Sequence, residues 1–303
     1  MKLTRLIHNP GAGEEAYDKK QLIALLEAQG FECRYSSTKK DDWEEALAPD
    51  VDFVVAAGGD GTIGKVAKAI FEKQLHQRLP IAVLPLGTAN NIANALHVQG
   101  STEEIIRSWH TARIKYFDVG KVEAISGATH FLEGFGWGIF PNLMLAMKKM
   151  KIDAETPEEE LKIALATIHS IVEAYDPSEC RLEIDGVDHS GDYLLMEIMN
   201  IRSVGPNLNL APKADPGDGK FDVVLIPESD REKLAQYVLH KINDLELPFP
   251  FRTIPATQVR LKWKGIHLHI DDELIKPDKA ANVQIDLLPQ KLQFLVTEPA
   301  TGL

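Results

Sequence analysis

The first third of the chain alternates short apolar runs with segments of helical periodicity. Within residues 52–57, five consecutive apolar residues follow Asp52, a run of the kind found in buried parallel strands. In residues 63–71, apolar side chains recur at i, i+3, i+4, i+7 and i+8, which predicts one buried helix face. Strands are predicted over residues 3–8, 31–35, 52–57 and 81–84, and helices over 14–29, 63–71 and 89–96. This alternation predicts a parallel sheet with helices on both faces.

After about residue 118 the pattern becomes mainly that of strands. Alternating apolar and polar residues in 259–263 and 266–270, on either side of Gly265, predict a hairpin whose solvated face carries His267 and His269. Further strands are predicted over 131–139, 181–184, 193–200, 221–226 and 283–288, and helices over 158–175 and 230–242. We therefore expect an α/β domain over residues 1–119, rejoined by residues 289–303, and a mainly antiparallel β domain over 120–288.

Size and charge narrow the class of protein. A chain of 303 residues fits two domains of about 150 residues each. A formal net charge of -12 disfavours nucleic-acid binding, which depends on neutralising phosphates. The N-terminus has the pattern of a strand and not of a signal peptide, and no transmembrane segment is predicted. We expect a cytoplasmic protein whose association with a membrane would be transient and confined to the membrane surface.

Three glycine-bearing loops follow predicted strands and precede predicted helices. They are Asn-Pro-Gly-Ala-Gly at 9–13, Gly-Gly-Asp-Gly-Thr at 58–62 and Pro-Leu-Gly-Thr-Ala-Asn at 85–90. Ligands collect at the carboxyl ends of parallel strands, where glycine admits phosphate oxygens close to the backbone and helix N-termini offer N–H groups. None of the loops has the P-loop or the Rossmann pattern. Together they favour a phosphate-bearing ligand over simple tight turns.

Asp60 is the unusual residue in these loops. A carboxylate would repel phosphate unless a metal ion or a proton came between them. The alternative is structural, because Asp60 is placed to cap the helix that is predicted to begin near Thr62.

Four segments together resemble one family of kinases. The 58–62 loop matches the Gly-Gly-Asp-Gly-Thr signature of diacylglycerol, sphingosine and NAD kinases and, more distantly, of phosphofructokinases. The 85–90 loop, the segment 211–222 and Ile-Asp-Asp-Glu at 270–273 are similar to motifs of the lipid-kinase branch, and they occur in the same order. The chain thus resembles the diacylglycerol kinase and sphingosine kinase family. That resemblance implies an NAD kinase-like α/β domain with a parallel sheet, followed by an antiparallel β-sandwich domain.

The resemblance also implies where ATP and Mg²⁺ would bind. Mg²⁺ would be held by Asp218 with main-chain oxygens near Asp215 and Lys220, although Asp-Pro-Gly-Asp-Gly at 215–219 also suits an ordinary β-turn. The residues expected to contact ATP are Asn9, Pro10, Gly11, Ala12, Gly13, Thr38, Gly58, Gly59, Asp60, Gly61, Thr62, Gly87 and Thr88.

The same family resemblance assigns the catalytic role to three carboxylates. Asp271 and Glu273 would act at the acceptor hydroxyl, where phosphoryl transfer needs a group that positions or deprotonates the nucleophile. Asp60 would complete the acidic cluster. Strand alternation would put Asp271 and Glu273 on one side if it continued through Asp272. The alternative is a solvated hairpin tip, and the sequence leaves open which carboxylate takes the proton.

Four positions depart from the family pattern, namely Ala12, Lys65, Asn91 and Asp272. They keep three hypotheses open. The first is a kinase of a lipid, diacylglycerol or a related molecule, presented at a membrane surface. The second is a kinase of a soluble hydroxyl compound, with NAD kinase as the nearest relative, and the third is an inactive ATP-binding regulatory protein. A homodimer is left open.

Overall fold

The computed structural model describes residues 1–12, 17–123, 129–150, 154, 156–245, 247–263, 265, 267–276 and 281–297. The chain divides into two compact units. We call Met1–Phe117 with Gln290–Leu303 the N-terminal unit, and Asp118–Pro289 the C-terminal unit.

The N-terminal unit alternates strands and helices. In chain order its elements are β1 (Lys2–His8), α1 (Lys19–Ala28), β2 (Phe31–Ser37), a 3-10 turn (Trp43–Ala46), β3 (Phe53–Gly58), α2 (Asp60–Glu72), β4 (Ile81–Pro85), α3 (Asn91–Ala95), α4 (Thr102–Ser108) and the first part of β5 (Arg113–Glu123).

Its sheet is parallel, in the order β2-β1-β3-β4. The end of the chain returns beside β4, where Phe294 pairs with Ile81. All six residues of β3 are buried, as the unbroken apolar run predicts for a central strand. Asp18 begins α1 through a capping box with Gln21, so the helix starts at Lys19. Residues 14–16 of the longer predicted helix lie outside the described part of the chain.

The C-terminal unit is mainly antiparallel. It contains the rest of β5, then β6 (His130–Phe131), β7 (Gly134–Gly138), α5 (Ile139–Lys149), α6 (Pro157–Ala174), β8 (Ser178–Ile184), β9 (Val187–Asp188), β10 (Gly191–Met199), β11 (Ser203–Val204), β12 (Leu208–Asn209), β13 (Phe221–Pro227), a 3-10 turn (Glu228–Asp230), α7 (Arg231–Ile242), β14 (Thr253–Ala256), β15 (Gln258–Trp263), β16 (Leu268–Ile270), β17 (Glu273–Ile275) and the first part of β18 (Ala281–Val296), whose last part belongs to the N-terminal unit.

Strand β10 is central and pairs antiparallel with β7, β8 and β13. Helix α6 packs against both α5 and α7, and the three helices close one apolar core over β10 and β13. A second core is built from side chains of β7, β8, β15, β16 and β18. A parallel-sheet unit followed by an antiparallel sandwich-like unit confirms the predicted fold class.

One strand pairing was predicted wrongly. Strand β15 does not form a hairpin with β16; it pairs with β8 and β18, whereas β16 pairs with β7 and β17. Alternation along a strand shows which of its faces is buried, but it does not say which strand lies alongside. The Asp185-Gly186 turn between β8 and β9 is a true hairpin turn with φ values of 45° and 82°.

Candidate active site

The three glycine-bearing loops lie at the carboxyl end of the parallel sheet. Strands β1, β3 and β4 end at His8, Gly58 and Pro85, and each leads directly into one of the loops. Thr38 follows the end of β2, and its main-chain N–H donates to the carbonyl oxygen of His8 at 2.9 Å. The predicted nucleotide-binding residues of these segments are therefore together at one edge, except Gly13, which lies outside the described residues.

The second and third loops touch through their glycines. A side-chain carbon added at Gly87 would lie 2.4 Å from the Cα of Gly59, and one added at Gly59 would lie 3.2 Å from the Cα of Gly87. The N–H of Leu86 also donates to the carbonyl oxygen of Gly58 at 3.0 Å. These two glycines are thus required by packing between the loops, independently of any ligand.

Asn90 closes the third loop. It has φ +53°, a left-handed conformation that Asn tolerates better than most residues. Its side-chain Oδ1 accepts from the N–H of Gly87 at 3.0 Å, and its Nδ2 donates to the carbonyl oxygen of Gly87 at 2.7 Å. The last residue of this motif therefore shapes the loop that presents Thr88.

Asp60 is a cap, but of a different helix from the one expected. It is the first residue of α2, whose N-cap is Gly59, so it does not cap that helix. Its carboxylate instead accepts hydrogen bonds from the N–H groups of Asn91 at 2.8 Å and Ile92 at 2.9 Å, at the start of α3. A carboxylate at a helix N-terminus satisfies N–H groups that have no partner within the helix.

The sequence analysis missed a cation beside the first loop. A side-chain carbon at Gly11 would lie 3.5 Å from the Nζ of Lys39. Lys39 directly follows Thr38 and is exposed. The only signal was its place after the second strand of a parallel sheet. Nearby, burial lowers the pKa of His8, so this buried strand end is occupied by an uncharged imidazole at neutral pH.

In the C-terminal unit, Asp271 forms part of a tight turn. Ile270 pairs with Glu273 across Asp271-Asp272. Strand geometry therefore does not continue through Asp272, and the condition on which a shared face for Asp271 and Glu273 depended is not met. The backbone reverses here because Asp271 adopts φ +51°, and Asp272 is not the residue with positive φ. Asp272, which stands where the family motif has glycine, is therefore not forced into a strained left-handed backbone conformation.

The carboxylate of Asp271 is held by main-chain groups. Its Oδ1 accepts from the N–H groups of Leu132 at 3.0 Å, Glu133 at 2.8 Å and Gly134 at 3.3 Å. The N–H of Asp271 donates back to the carbonyl oxygen of Gly134 at 2.9 Å. Asp271 therefore fastens the turn to the segment before β7, and Glu273 is the exposed carboxylate of the pair.

A buried acid–base pair lies beside this turn, and the sequence analysis missed it. The side chain of Glu197 is 0% exposed and that of His269 is 1% exposed, with His269 Nε2 2.9 Å from each carboxylate oxygen. The prediction that His269 lies on a solvated strand face is thus wrong. Burial opposes a charged imidazole, but the charge and hydrogen bond of Glu197 outweigh it and raise the pKa of His269. Alternation alone could not reveal this, because β16 is buried on both faces.

The predicted magnesium turn is built around three aspartates. Asp215 Oδ1 accepts from the N–H of Gly217, and Asp218 Oδ1 accepts from that of Lys220, both at 3.0 Å. The buried Asp118, which the sequence analysis did not single out, accepts from Gly219 N–H at 2.8 Å. Burial, with the charges of Asp215 and Asp222, raises the pKa of Asp218.

This donor set suits a hard cation chemically. Carboxylate and main-chain oxygens are the ligands that Mg²⁺ prefers, and mutual repulsion among the aspartates would be relieved by a positive charge. Within the described residues, however, no group of three or more His, Cys, Asp or Glu side chains is arranged to hold a metal ion. A cation at the turn would therefore depend on main-chain oxygens, as expected for Asp215 and Lys220.

Comparisons with known proteins agree with this arrangement. Residues 4–122 match the diacylglycerol kinase catalytic domain, and residues 146–296 match the YegS C-terminal NAD kinase beta sandwich-like domain. An α/β unit that matches this catalytic domain, followed by a unit that matches this sandwich domain, defines the class as a kinase. The chain belongs to the diacylglycerol kinase family.

Relatives of the same family are similar over most of the chain. A diacylglycerol kinase of Staphylococcus haemolyticus is 26% identical over 251 residues, which are 77% of this chain and 70% of the relative. A diacylglycerol kinase of Staphylococcus aureus is 28% identical over 251 residues, which are 77% of this chain and 73% of the relative.

Solved structures show the same fold. The crystal structure of a diacylglycerol kinase from Bacillus anthracis has a TM-score of 0.74 at 20% identity and covers 98% of each chain. A further structure from that organism has a TM-score of 0.76 at 21% identity, covering 98% of this chain and 96% of the other. Among the described residues, no helix is both long and apolar enough to cross a membrane.

Proposed function

We propose that the protein transfers the γ-phosphoryl group of ATP, with Mg²⁺, to a hydroxyl of a lipid, diacylglycerol or a close relative. The observation that carries the proposal is the set of glycine loops at one sheet edge in a chain of the diacylglycerol kinase family. Their backbone N–H groups, with Lys39 beside Gly11, suit the phosphates of a nucleotide.

Each part of the reaction has candidate residues. The loops and Thr38 would bind the nucleotide, and the turn at Asp215, Asp218 and Lys220 would hold a cation. Glu273 would accept the proton of the acceptor hydroxyl as its oxygen forms the new bond to phosphorus and the bond to the β-phosphate oxygen breaks. Mg²⁺ on the phosphates would neutralise charge in the transition state. Asp271 would hold the turn that carries Glu273.

Lipid as the acceptor has independent support from one surface of the C-terminal unit. A cavity of about 500 Å³ combines aromatic and cationic side chains. The described residues that line it include Tyr237, Phe249, Phe251, Lys213, Lys241, Arg252 and Leu247. Leu247 is 46% exposed. Cations beside exposed apolar groups are suited to contact an anionic membrane despite a net charge of -12.

The test is a transfer assay with γ-labelled ATP and Mg²⁺. Diacylglycerol, sphingosine and ceramide are supplied in mixed micelles, and NAD and glycerol in solution. Label in phosphatidic acid is the expected result. Label only in NAD would favour the kinase of a soluble compound, and no label in any acceptor, with ATP still bound, would favour the inactive regulatory protein.

A further inference from the structure

The buried pair of Glu197 and His269 meets across a glycine. Glu197 of β10 and His269 of β16 are not on neighbouring strands, because β7 lies between them, and both are paired in register with Gly136 of β7. A side-chain carbon at Gly136 would lie 2.3 Å from the carboxyl carbon of Glu197. The absence of a side chain at Gly136 therefore makes the space in which the two groups meet.

His269 bridges Glu197 and the Asp271 turn through its two ring nitrogens. Its Nδ1 is 2.9 Å from the carbonyl oxygen of Asp271, which can only accept, so Nδ1–H is the donor. Nε2 then faces Glu197, and one proton lies between them whichever group carries it. Rotation of the ring would break both contacts, so Glu197 fixes the ring and the ring fixes the Asp271 peptide.

This arrangement holds a strained backbone at a functional turn. Asp271 has φ +51°, a conformation that costs free energy and persists only where the surroundings determine it. Its carboxylate is bound by main-chain groups before β7, and its carbonyl oxygen is bound by His269. Burying a pair of ionisable groups has a desolvation cost, and apolar side chains of equal volume are often at least as stabilising.

We propose that Glu197 and His269 are positioning residues of the phosphoryl transfer, which orient the Asp271 peptide and so fix the carboxylate of Glu273. The inference rests on the proposed function for the role of Glu273. Its structural part, the dependence of the turn on Glu197, stands independently and is tested first.

The structural part is tested by hydrogen exchange. Glu197→Leu removes the partner of His269, whereas in Glu197→Gln the amide can donate to Nε2 of a neutral ring that keeps its Nδ1–H bond to Asp271. We expect exchange of the N–H groups at 132–134 to quicken at least tenfold in Glu197→Leu and to stay near the parent in Glu197→Gln. Val172→Ala, a buried change in α6, controls for general loss of stability. Parent-like exchange in Glu197→Leu would overturn the proposal. Should that variant not fold, Gly136→Ala, which crowds the same contact, replaces it.

The catalytic part is tested by a double-mutant cycle on turnover with diacylglycerol. Alone, Glu197→Leu should lower kcat by on the order of tenfold to a hundredfold while KM for ATP stays within about twofold, because a misplaced group affects the chemical step. In a Glu273→Gln background the same change should have almost no further effect, since it acts through Glu273. Additive losses would overturn the proposed positioning role. Glu273→Gln with normal turnover would instead refute the catalytic assignment in the proposed function, and the exchange result would still decide the structural part.

Discussion

The carboxylate of Asp60 accepts a hydrogen bond from the main-chain N–H of Ile92 at 2.9 Å, and a second from Asn91 at 2.8 Å. One acidic side chain thereby joins the start of α2 to the start of α3 and holds the second and third glycine loops in register. A role of this kind is compatible with contact to a nucleotide or a metal ion, but it has a separate consequence for stability.

We expect Asp60→Asn to lower the free energy of unfolding by about 1–3 kcal/mol. The amide group offers one acceptor where two N–H groups need partners, so one N–H of α3 is left poorly satisfied. Urea unfolding of the ligand-free protein measures the loss. Glu72→Gln, an exposed carboxylate at the other end of α2, is the matched control and should be neutral. Unchanged stability of Asp60→Asn would show that the cap contributes nothing.

The sequence predicted the N-terminal unit well because each of its signals is local. An unbroken apolar run gave β3, and the glycine loops followed from strand-to-helix turns that need close backbone approach. Asp60 was more difficult, because its partners are 31 and 32 residues away and no periodicity links them. The sequence placed an acidic side chain at the loop but could not identify which helix it caps.

Lys39 provides a test of the proposed nucleotide site. Its ammonium group lies beside Gly11, where it would attract the phosphates of ATP. We expect Lys39→Gln to raise KM for ATP several-fold, and the difference from the parent to shrink at high salt, because an exposed charge is screened. Lys40→Gln, which changes the adjacent exposed lysine, is the control. Equal effects of the two substitutions would mean that only the overall charge matters.

If the turn at residues 215–220 holds Mg²⁺ as proposed, Asp218→Asn should have opposite effects on stability with and without the ion. The raised pKa of Asp218 means that the folded state disfavours its charge, so this contribution to stability is present at low pH and is lost as pH rises through the folded pKa. At pH 7 and without Mg²⁺, Asp218→Asn should therefore be at least as stable as the parent. Mg²⁺ should raise the Tm of the parent and not that of Asp218→Asn.

Thermal unfolding with and without Mg²⁺ measures both effects. In the parent, the gain in Tm from Mg²⁺ should fade as pH drops through the raised pKa of Asp218, because a protonated carboxyl is a poor ligand. Asp192→Asn, an exposed change on β10, should keep the full response to the ion. An Asp218→Asn protein that still gains the parental increase in Tm would place the ion elsewhere.

The cavity lined by cationic and aromatic side chains is the surface proposed to contact a membrane. Lys241→Glu and Arg252→Glu reverse two charges that line it and should weaken sedimentation with vesicles containing phosphatidylglycerol, but not with purely zwitterionic vesicles. Lys20→Glu on α1 controls for the change in net charge. If all three variants sediment like the parent, this surface is not the contact.

The C-terminal unit was harder to predict because its determinants are contacts between distant strands. Glu197 is in an apolar strand and His269 is in an alternating one, and nothing in either segment shows that Gly136 lets them meet. The position of Asp271 and Glu273 near a strand end was identified from a motif, but the positive φ at Asp271 was not. That conformation depends on bonds to residues 132–134, which are more than 130 residues away along the chain.

Substitutions of Asp271 and Glu273 are predicted to affect stability and turnover differently. Asp271 accepts several main-chain hydrogen bonds, so Asp271→Asn should lose stability, by about 1–3 kcal/mol, together with turnover. Glu273 is exposed on a short strand, and Glu273→Gln keeps its size while it removes its ability to take a proton. We expect Glu273→Gln to reduce kcat by on the order of a hundredfold or more, the usual scale for a general base. Its Tm and its affinity for ATP should stay those of the parent.

Comparing variants of Asp271, Asp272 and Glu273 distinguishes a catalytic Glu273 from the alternative, a hairpin tip that is merely solvated. Asp272→Asn, in the same turn and also exposed, is the matched control, because it changes charge between the two carboxylates without touching either. A tip that is merely polar would give three variants with similar, near-normal turnover on diacylglycerol. A catalytic Glu273 gives a large loss of kcat in one exposed variant, almost none in its neighbour, and a loss of stability only at Asp271. If Glu273→Gln and Asp272→Asn have equal turnover, the hydroxyl proton goes to another group.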